Sequence, residues 1–174
     1  MERVNRILEH PLYKEYLCEI KKCEENRIFC KHDMVHFLDV CRLAEIEWLR
    51  YQMSFGISDN KDTVTNTDCS MRNLIYAAGL LHDIGRFQEY QMGIRHEIAS
   101  SQLARSILED CGFKNRDIEE ILTAILNHRN KSVMNENTLS GFLYRADKKS
   151  RACFACKAES ECNWSIEKKN MKLI

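Results

Sequence analysis

Ser70-Met71-Arg72-Asn73-Leu74-Ile75-Tyr76-Ala77-Ala78-Gly79-Leu80-Leu81-His82-Asp83-Ile84-Gly85-Arg86 is the segment on which the fold turns. Leu74, Ile75, Ala77, Ala78, Leu80 and Leu81 make it apolar almost all round, as in a helix enclosed by other helices. Gly85 is placed to end it. An imidazole and a carboxylate at the end of a buried helix each need a partner. Adjacent helical residues point about 100° apart, so His82 and Asp83 can both reach one ion between those directions. The pair reads as half of a metal site, and the other half has to come from elsewhere in the chain.

Outward from this segment the chain reads as helices. There is a single proline, Pro11, at a favourable first helical position, and Leu12, Tyr16, Leu17 and Ile20 share one side of a helix to about Glu25. Asp33 is placed to cap a long helix carrying Met34, Phe37, Leu38, Cys41, Ala44, Ile46, Trp48 and Leu49. Gly56 to Cys69 is polar and reads as a loop before a helix from Ser70. Arg95 to Cys111 follows, with Ile98, Leu103, Ala104, Ile107 and Leu108, and Gly112 as its stop. Asn115 is the expected cap of a helix that turns Ile118, Ile121, Leu122, Ile125 and Leu126 inward. Thr138 is the expected cap of the last, with Leu139, Phe142, Leu143 and Ala146. The segments Phe87 to Ile94 and Arg129 to Asn137 read as loops. With no clear strand alternation, repeat or linker, the expectation is a single all-α domain with a polar, cysteine-bearing tail.

At 174 residues the chain is long enough for one real core. Lys and Arg total 26 against 26 Asp and Glu. That balance argues against a general nucleic-acid or membrane-surface role, and no apolar run is long enough for a bilayer. Met1 to Arg6 leads into no signal-peptide core, so the nine cysteines are expected reduced or metal-bound in the cytoplasm rather than as disulfides.

His36 lies inside the long helix among apolar neighbours, His96 opens one helix, His128 closes another, and Asp147 ends the run Phe142 to Ala146. Neutral imidazoles with carboxylates suit Fe, Mn, Co, Ni or Zn better than Ca or Mg. His32 stands four residues before His36, as in H-x-x-x-H zinc sites. The glutamate usual after the first histidine is missing and His32 precedes the helix, so His36 alone is the expected ligand. His10, beside Pro11, reads as a surface or capping residue.

The order His36, His82-Asp83, Asp147 on separate helices resembles the HD-domain superfamily of metal-dependent phosphohydrolases. The resemblance rests on His36 with Val40 one turn on, Leu80 to Arg86, and Tyr144 to Lys148. It implies an HD domain over 31–151, between an N-terminal helical segment (1–30) and a Cys-containing tail packed on the domain (152–174). It also implies that His36, His82, Asp83 and Asp147 hold a metal. His96 and His128 match the additional histidines of subgroups with two metals, where Asp83 would be the bridge; one ion or two stays open. The implied activity is cleavage of a phosphate ester or anhydride of a nucleotide or dinucleotide by a metal-activated water. A catalytically silent HD-domain nucleotide sensor or interaction module is the alternative.

Basic residues accompany most of these positions: Arg86, Arg95, Arg129, Lys148 and Lys149. They suit a phosphorylated small molecule, and Arg86 and Lys148 join Asp83 as candidate catalytic residues. No Walker-type loop or G-x-S-x-G elbow occurs, and a homodimer is compatible with the sequence. In the tail, Cys153-x-x-Cys156-x5-Cys162 before Trp164 offers three thiolates. A closed zinc site needs a fourth ligand, from Cys30 or a histidine folding back; an iron–sulfur cluster or ordinary reduced thiols are the alternatives.

Overall fold

The enclosed helix expected at the centre is there. In the computed structural model, which describes residues 1–54 and 66–172, eight α-helices succeed one another and no strand occurs among the described residues. They are α1 Glu2–Glu9, α2 Pro11–Cys23, α3 Met34–Ser54, α4 Asn66–Leu81, α5 Arg86–Met92, α6 His96–Asp110, α7 Asn115–Asn127 and α8 Leu139–Lys149. Short 3-10 turns occupy Lys131–Asn135 and Cys153–Ala155. The protein is all-α.

Helix α4 packs against α1, α3, α6, α7 and α8. Its Ile75, Ala77, Ala78 and Leu81 are wholly enclosed, which is why the sequence there is apolar on every side. Phe37, Val40 and Cys41 of α3, Ile121 and Ile125 of α7, and Phe142 and Leu143 of α8 close around it. Truncating a fully buried aromatic such as Phe37 in a core of this density costs about 3–5 kcal/mol.

Two glycines let the helices come close enough to build the site. A side chain at Gly79 would strike Cys41 Sγ at 2.5 Å, so Gly79 sets the approach of α3 and α4. A side chain at Gly85 would run into the backbone of α6 at Ser100, whose hydroxyl accepts the Gly85 N–H at 2.9 Å. Gly85 therefore docks the end of the His-Asp segment on α6.

Caps fix some boundaries as expected and shift others. Asp33 Oδ1 accepts the His36 N–H at 3.1 Å, and Thr138 Oγ1 accepts the Gly141 N–H at 3.3 Å. The cap position of α7 is Lys114, with no side-chain cap bond, and Asn115 is its first helical residue. Helix α4 begins at Asn66, inside the stretch read as a loop; the rest of that reading lies outside the described residues. It ends at Leu81, before Gly85. Phe87 to Met92, read as a loop, belongs to α5, whose seven residues show too little periodicity to be recognised. Ile46, Leu49, Ile98 and Leu126, expected inside, are exposed, whereas Tyr13 of α2 is wholly buried.

Candidate metal centre

Asp83 sits at the convergence of five histidines. Its Oδ2 lies 3.4 Å from His82 Nε2, 3.7 Å from His36 Nε2 and 3.5 Å from His32 Nε2. Its Oδ1 faces the other way, 3.2 Å from His96 Nε2 and 3.5 Å from His128 Nε2. Asp147 Oδ1 completes the first side, 3.6 Å from His36 Nε2 and 3.8 Å from His82 Nε2. Two sets of ligand atoms thus gather, each within 4.8 Å: His36, His82, Asp83 and Asp147, and Asp83, His96 and His128. Asp83 belongs to both, one oxygen to each. All these side chains are buried.

The helices aim the imidazoles by holding the far ring nitrogen. His82 Nδ1 donates to the Gly79 carbonyl at 2.7 Å, and His128 Nδ1 to the Ile125 carbonyl at 2.6 Å, each one turn back on its own helix. His36 Nδ1 donates to Ser150 Oγ at 3.1 Å, because that hydroxyl spends its own proton on the Asp147 carbonyl. His32 Nδ1 donates to Glu24, which also accepts the Tyr90 hydroxyl at 2.6 Å. With the proton on Nδ1, the lone pair of each of these four rings is on Nε2, which faces Asp83; in His36 it also accepts from Arg151. His96 Nδ1 donates to Glu89 Oε2 at 2.7 Å, and Arg86, which donates to that same oxygen, lies beside the ring. Such anchoring of the non-ligating nitrogen is how proteins orient metal-binding histidines.

Electrostatics favour a cation here. Burial pushes His36 and His96 down to about 4, so both stay neutral and able to ligate. Burial alone would raise Asp83 and Asp147, but neighbouring histidines, and Lys148 beside Asp147, hold both well below the usual carboxylate range. Burial likewise opposes charge on His82, yet the negative Asp83 beside it raises its pKa. His82 Nε2 and Asp83 Oδ1 are buried with no hydrogen-bond partner. His96 and His128 bring their Nε2 atoms 3.2 Å apart beside that same oxygen. Buried, electron-rich atoms facing one another are costly unless a cation lies among them. The residues present fit one or two divalent ions. On the His36 side a guanidinium already answers part of the charge: Arg151 Nη2 donates to His36 Nε2 at 3.0 Å and is 3.7 Å from Asp147 Oδ1.

A cavity of about 390 Å³ has Asp83, His32, His96 and Asp147 in its lining. Of the basic residues expected near substrate, Arg86, Arg129 and Lys148 line it, and Lys148 Nζ is 2.5 Å from Asp147 Oδ2. Arg95 and Lys149 do not: Arg95 pairs with Glu97, and Lys149 with Glu47 on α3. The cavity instead takes Arg27, Arg151 and Lys169, which had carried no signal in the sequence. His32 is the main residue missed. Its spacing from His36 was the available clue, and its position before α3 was the reason for passing it over. The loop that carries it is pulled inward because Glu24 binds both its ring and its backbone N–H, the latter at 2.7 Å. His10 lies apart, 3.2 Å from Asp110 at the surface. Cys153, Cys156 and Cys162 also line the cavity, but no three thiols are among the described groups gathered within 4.8 Å.

Residues 34–159 match the HD domain family. Over 173 residues the chain is 40% identical to an uncharacterized protein of Clostridium beijerinckii, covering 99% of each chain. No solved structure matches it. The family match extends over well more than half of the sequence and takes in every member of both ligand groups. The chain belongs to the HD domain family.

Proposed function

We propose that this protein is a metal-dependent phosphohydrolase that cleaves a phosphate ester or anhydride of a nucleotide or dinucleotide. The observation that carries the reading is Asp83, with each carboxylate oxygen turned to a separate set of histidine nitrogens at a cation-lined cavity. His36, His82, Asp83 and Asp147 would hold one divalent transition ion (Fe, Mn, Co, Ni or Zn), and Asp83, His96 and His128 a second. When bound, such ions supply Lewis acidity at a phosphoryl oxygen and make a water acidic enough to attack near neutral pH.

The chain's own residues do the rest. Arg27, Arg86, Arg129, Lys148, Arg151 and Lys169 line the cavity against Asp83, Asp147 and Glu159. In a chain of zero net charge, this local excess suits a ligand bearing several negative charges. Arg86 is held by Glu89 beside His96, where its guanidinium can take a phosphoryl oxygen. Lys148, already on Asp147, offers a second positive charge from the other wall. Phe29 and Trp164 give the same cavity flat apolar surface for a base. His32, its Nδ1 proton bound to Glu24, presents Nε2 as a proton acceptor in the lining.

Hydrolysis of a panel of mononucleotides, nucleoside polyphosphates and dinucleotides, read by chromatography of the nucleotide products together with any released phosphate, tests the reading, with His82→Ala as the control. Metal-dependent hydrolysis that the variant lacks is the expected result. Nucleotide-dependent stabilisation without turnover across the panel would instead identify a sensor.

A further inference from the structure

Eight cysteines have described side chains, and they divide sharply. Cys18 and Cys23 are exposed on α2, and Cys41 and Cys111 are buried in the core. The other four, Cys30, Cys153, Cys156 and Cys162, line the cavity that holds Asp83. Cys30 comes from the loop between α2 and α3, more than a hundred residues before the other three. We propose that Cys30, Cys153, Cys156 and Cys162 form a tetrathiolate zinc site in the wall of the catalytic cavity, which fastens the C-terminal tail to the loop before α3.

Three observations support it. The first is the donor set. A C-x2-C pair with a third cysteine six residues on and a fourth from a distant loop is the makeup of a closed structural zinc site. Cys30 is near enough to Cys153 and Cys156 that, beyond the effect of burial, their charge raises its thiol pKa.

The second is how little else holds the tail. Residues 152–172 contain one 3-10 turn and no α-helix. Of their apolar side chains only Cys153 and Ala158 are buried, while Phe154 and Ile166 stand exposed. The fastenings are polar: Phe154 N–H to the Asn170 carbonyl at 3.2 Å, Asn170 to the Lys149 carbonyl at 2.9 Å, and Lys169 to the Glu159 carbonyl at 2.8 Å. A segment with so small a core needs a staple, and a thiolate-bound metal is the usual one in reducing surroundings.

The third is charge. Four thiolates around Zn²⁺ carry a net charge of about −2. Arg151 acts on Cys30, and Lys169 is close enough to feel Cys162 and Cys153, so two cations flank the cluster. Arg151 also reaches His36 and Asp147, which ties this wall to the ligand centre. The sulfurs converge on the cavity without lying within 4.8 Å of one another in threes. Zinc binding therefore draws the tail turns inward and sets the position of Trp164 and Lys169 on the cavity.

The test is metal content and thiol protection in the full-length protein, purified under reductant. Wild type, His82→Ala, Cys30→Ser and Cys153→Ser/Cys156→Ser are compared. The expected result is one zinc per chain that His82→Ala retains and both cysteine variants lose. In wild type, four thiols are shielded from a thiol reagent and become reactive when a strong chelator is added. Co²⁺ substituted for that zinc shows thiolate charge-transfer absorption. The wild-type thiol titration needs no folded variant. Unchanged zinc in both cysteine variants, or thiols equally reactive with and without chelator, overturns the proposal. Iron with acid-labile sulfide overturns the zinc assignment. Because His82→Ala takes a ligand from the histidine centre and leaves the four thiols untouched, failure here leaves the phosphohydrolase reading standing.

Discussion

The histidine–aspartate centre and the thiol-bearing tail face one cavity, yet they are built in opposite ways. His36, His82, Asp83, His96, His128 and Asp147 stand on or beside α3, α4, α6, α7 and α8, with a packed core behind them. Their Nε2 atoms are aimed by bonds within the fold itself, such as those from His82 to Gly79 and from His128 to Ile125. The tail cysteines sit on turns with almost no buried apolar surface, and their sulfurs do not meet. One site is preorganised by the fold. The other needs its ligand to finish the local fold.

The sharpest way to break this contrast is to remove a ligand from the built centre. His82→Ala is expected to lower hydrolysis by more than about 100-fold, beyond the range of about 10–100-fold usual for groups that only orient a ligand. Far-ultraviolet circular dichroism should stay that of the wild type, since the core supports the helices. Loss of helix in parallel with activity would mean that the centre is not preorganised.

The core beneath the centre should be the costliest place to cut for stability. Phe37 packs edge-on to His82, with ring centroids 5.6 Å apart, and is wholly buried. Phe37→Ala is expected to cost about 3–5 kcal/mol by denaturant titration. A cost under about 1 kcal/mol would show that this layer is loose.

A smaller effect is expected from the groups that aim the rings. Glu89→Gln weakens the hold on His96 Nδ1 and should reduce metal affinity by about 10-fold, read by chelator competition. Affinity equal to the wild type would remove Glu89 from the account.

The smallest effect is in acid. Burial by itself would raise Glu24, but its bonds to His32 and Tyr90 outweigh it and bring its pKa to about 2. The folded state then binds fewer protons than the unfolded one below about pH 4.5, so Glu24 contributes stability that is lost as pH falls from there towards 2. Metal-free Glu24→Gln should show a shallower loss over that window in thermal melts. Identical slopes would contradict the assignment.

The contrast also marks what the sequence could reveal. Ligands on long apolar helices were legible because periodicity placed them: His36 in α3, the His82-Asp83 pair after α4 and Asp147 in α8 all follow apolar runs. Residues brought in by turns were not. His32 is positioned by Glu24, and Arg151 by its bonds to His36 and the Lys31 carbonyl, contacts with no periodic trace. Arg95 and Lys149 show the reverse error. Each lies within two residues of a ligand in sequence but is taken by a carboxylate away from the cavity lining. Arg95 goes to buried Glu97 and Lys149 to Glu47 on α3, because nearby residues in a chain face different ways. The short α5 failed for a third reason, since seven residues barely make two turns.

If Asp83 is shared between two ion positions, counting ions in Asp83→Ala reveals it. Elemental analysis is run beside His36→Ala and His128→Ala, with the tail thiols replaced by serine in all three so that only the histidine centre is counted. His36→Ala and His128→Ala are each expected to lose one ion, and Asp83→Ala to lose both together with all hydrolysis. An Asp83→Ala protein that keeps its ions, or still hydrolyses the nucleotide panel, would contradict that sharing.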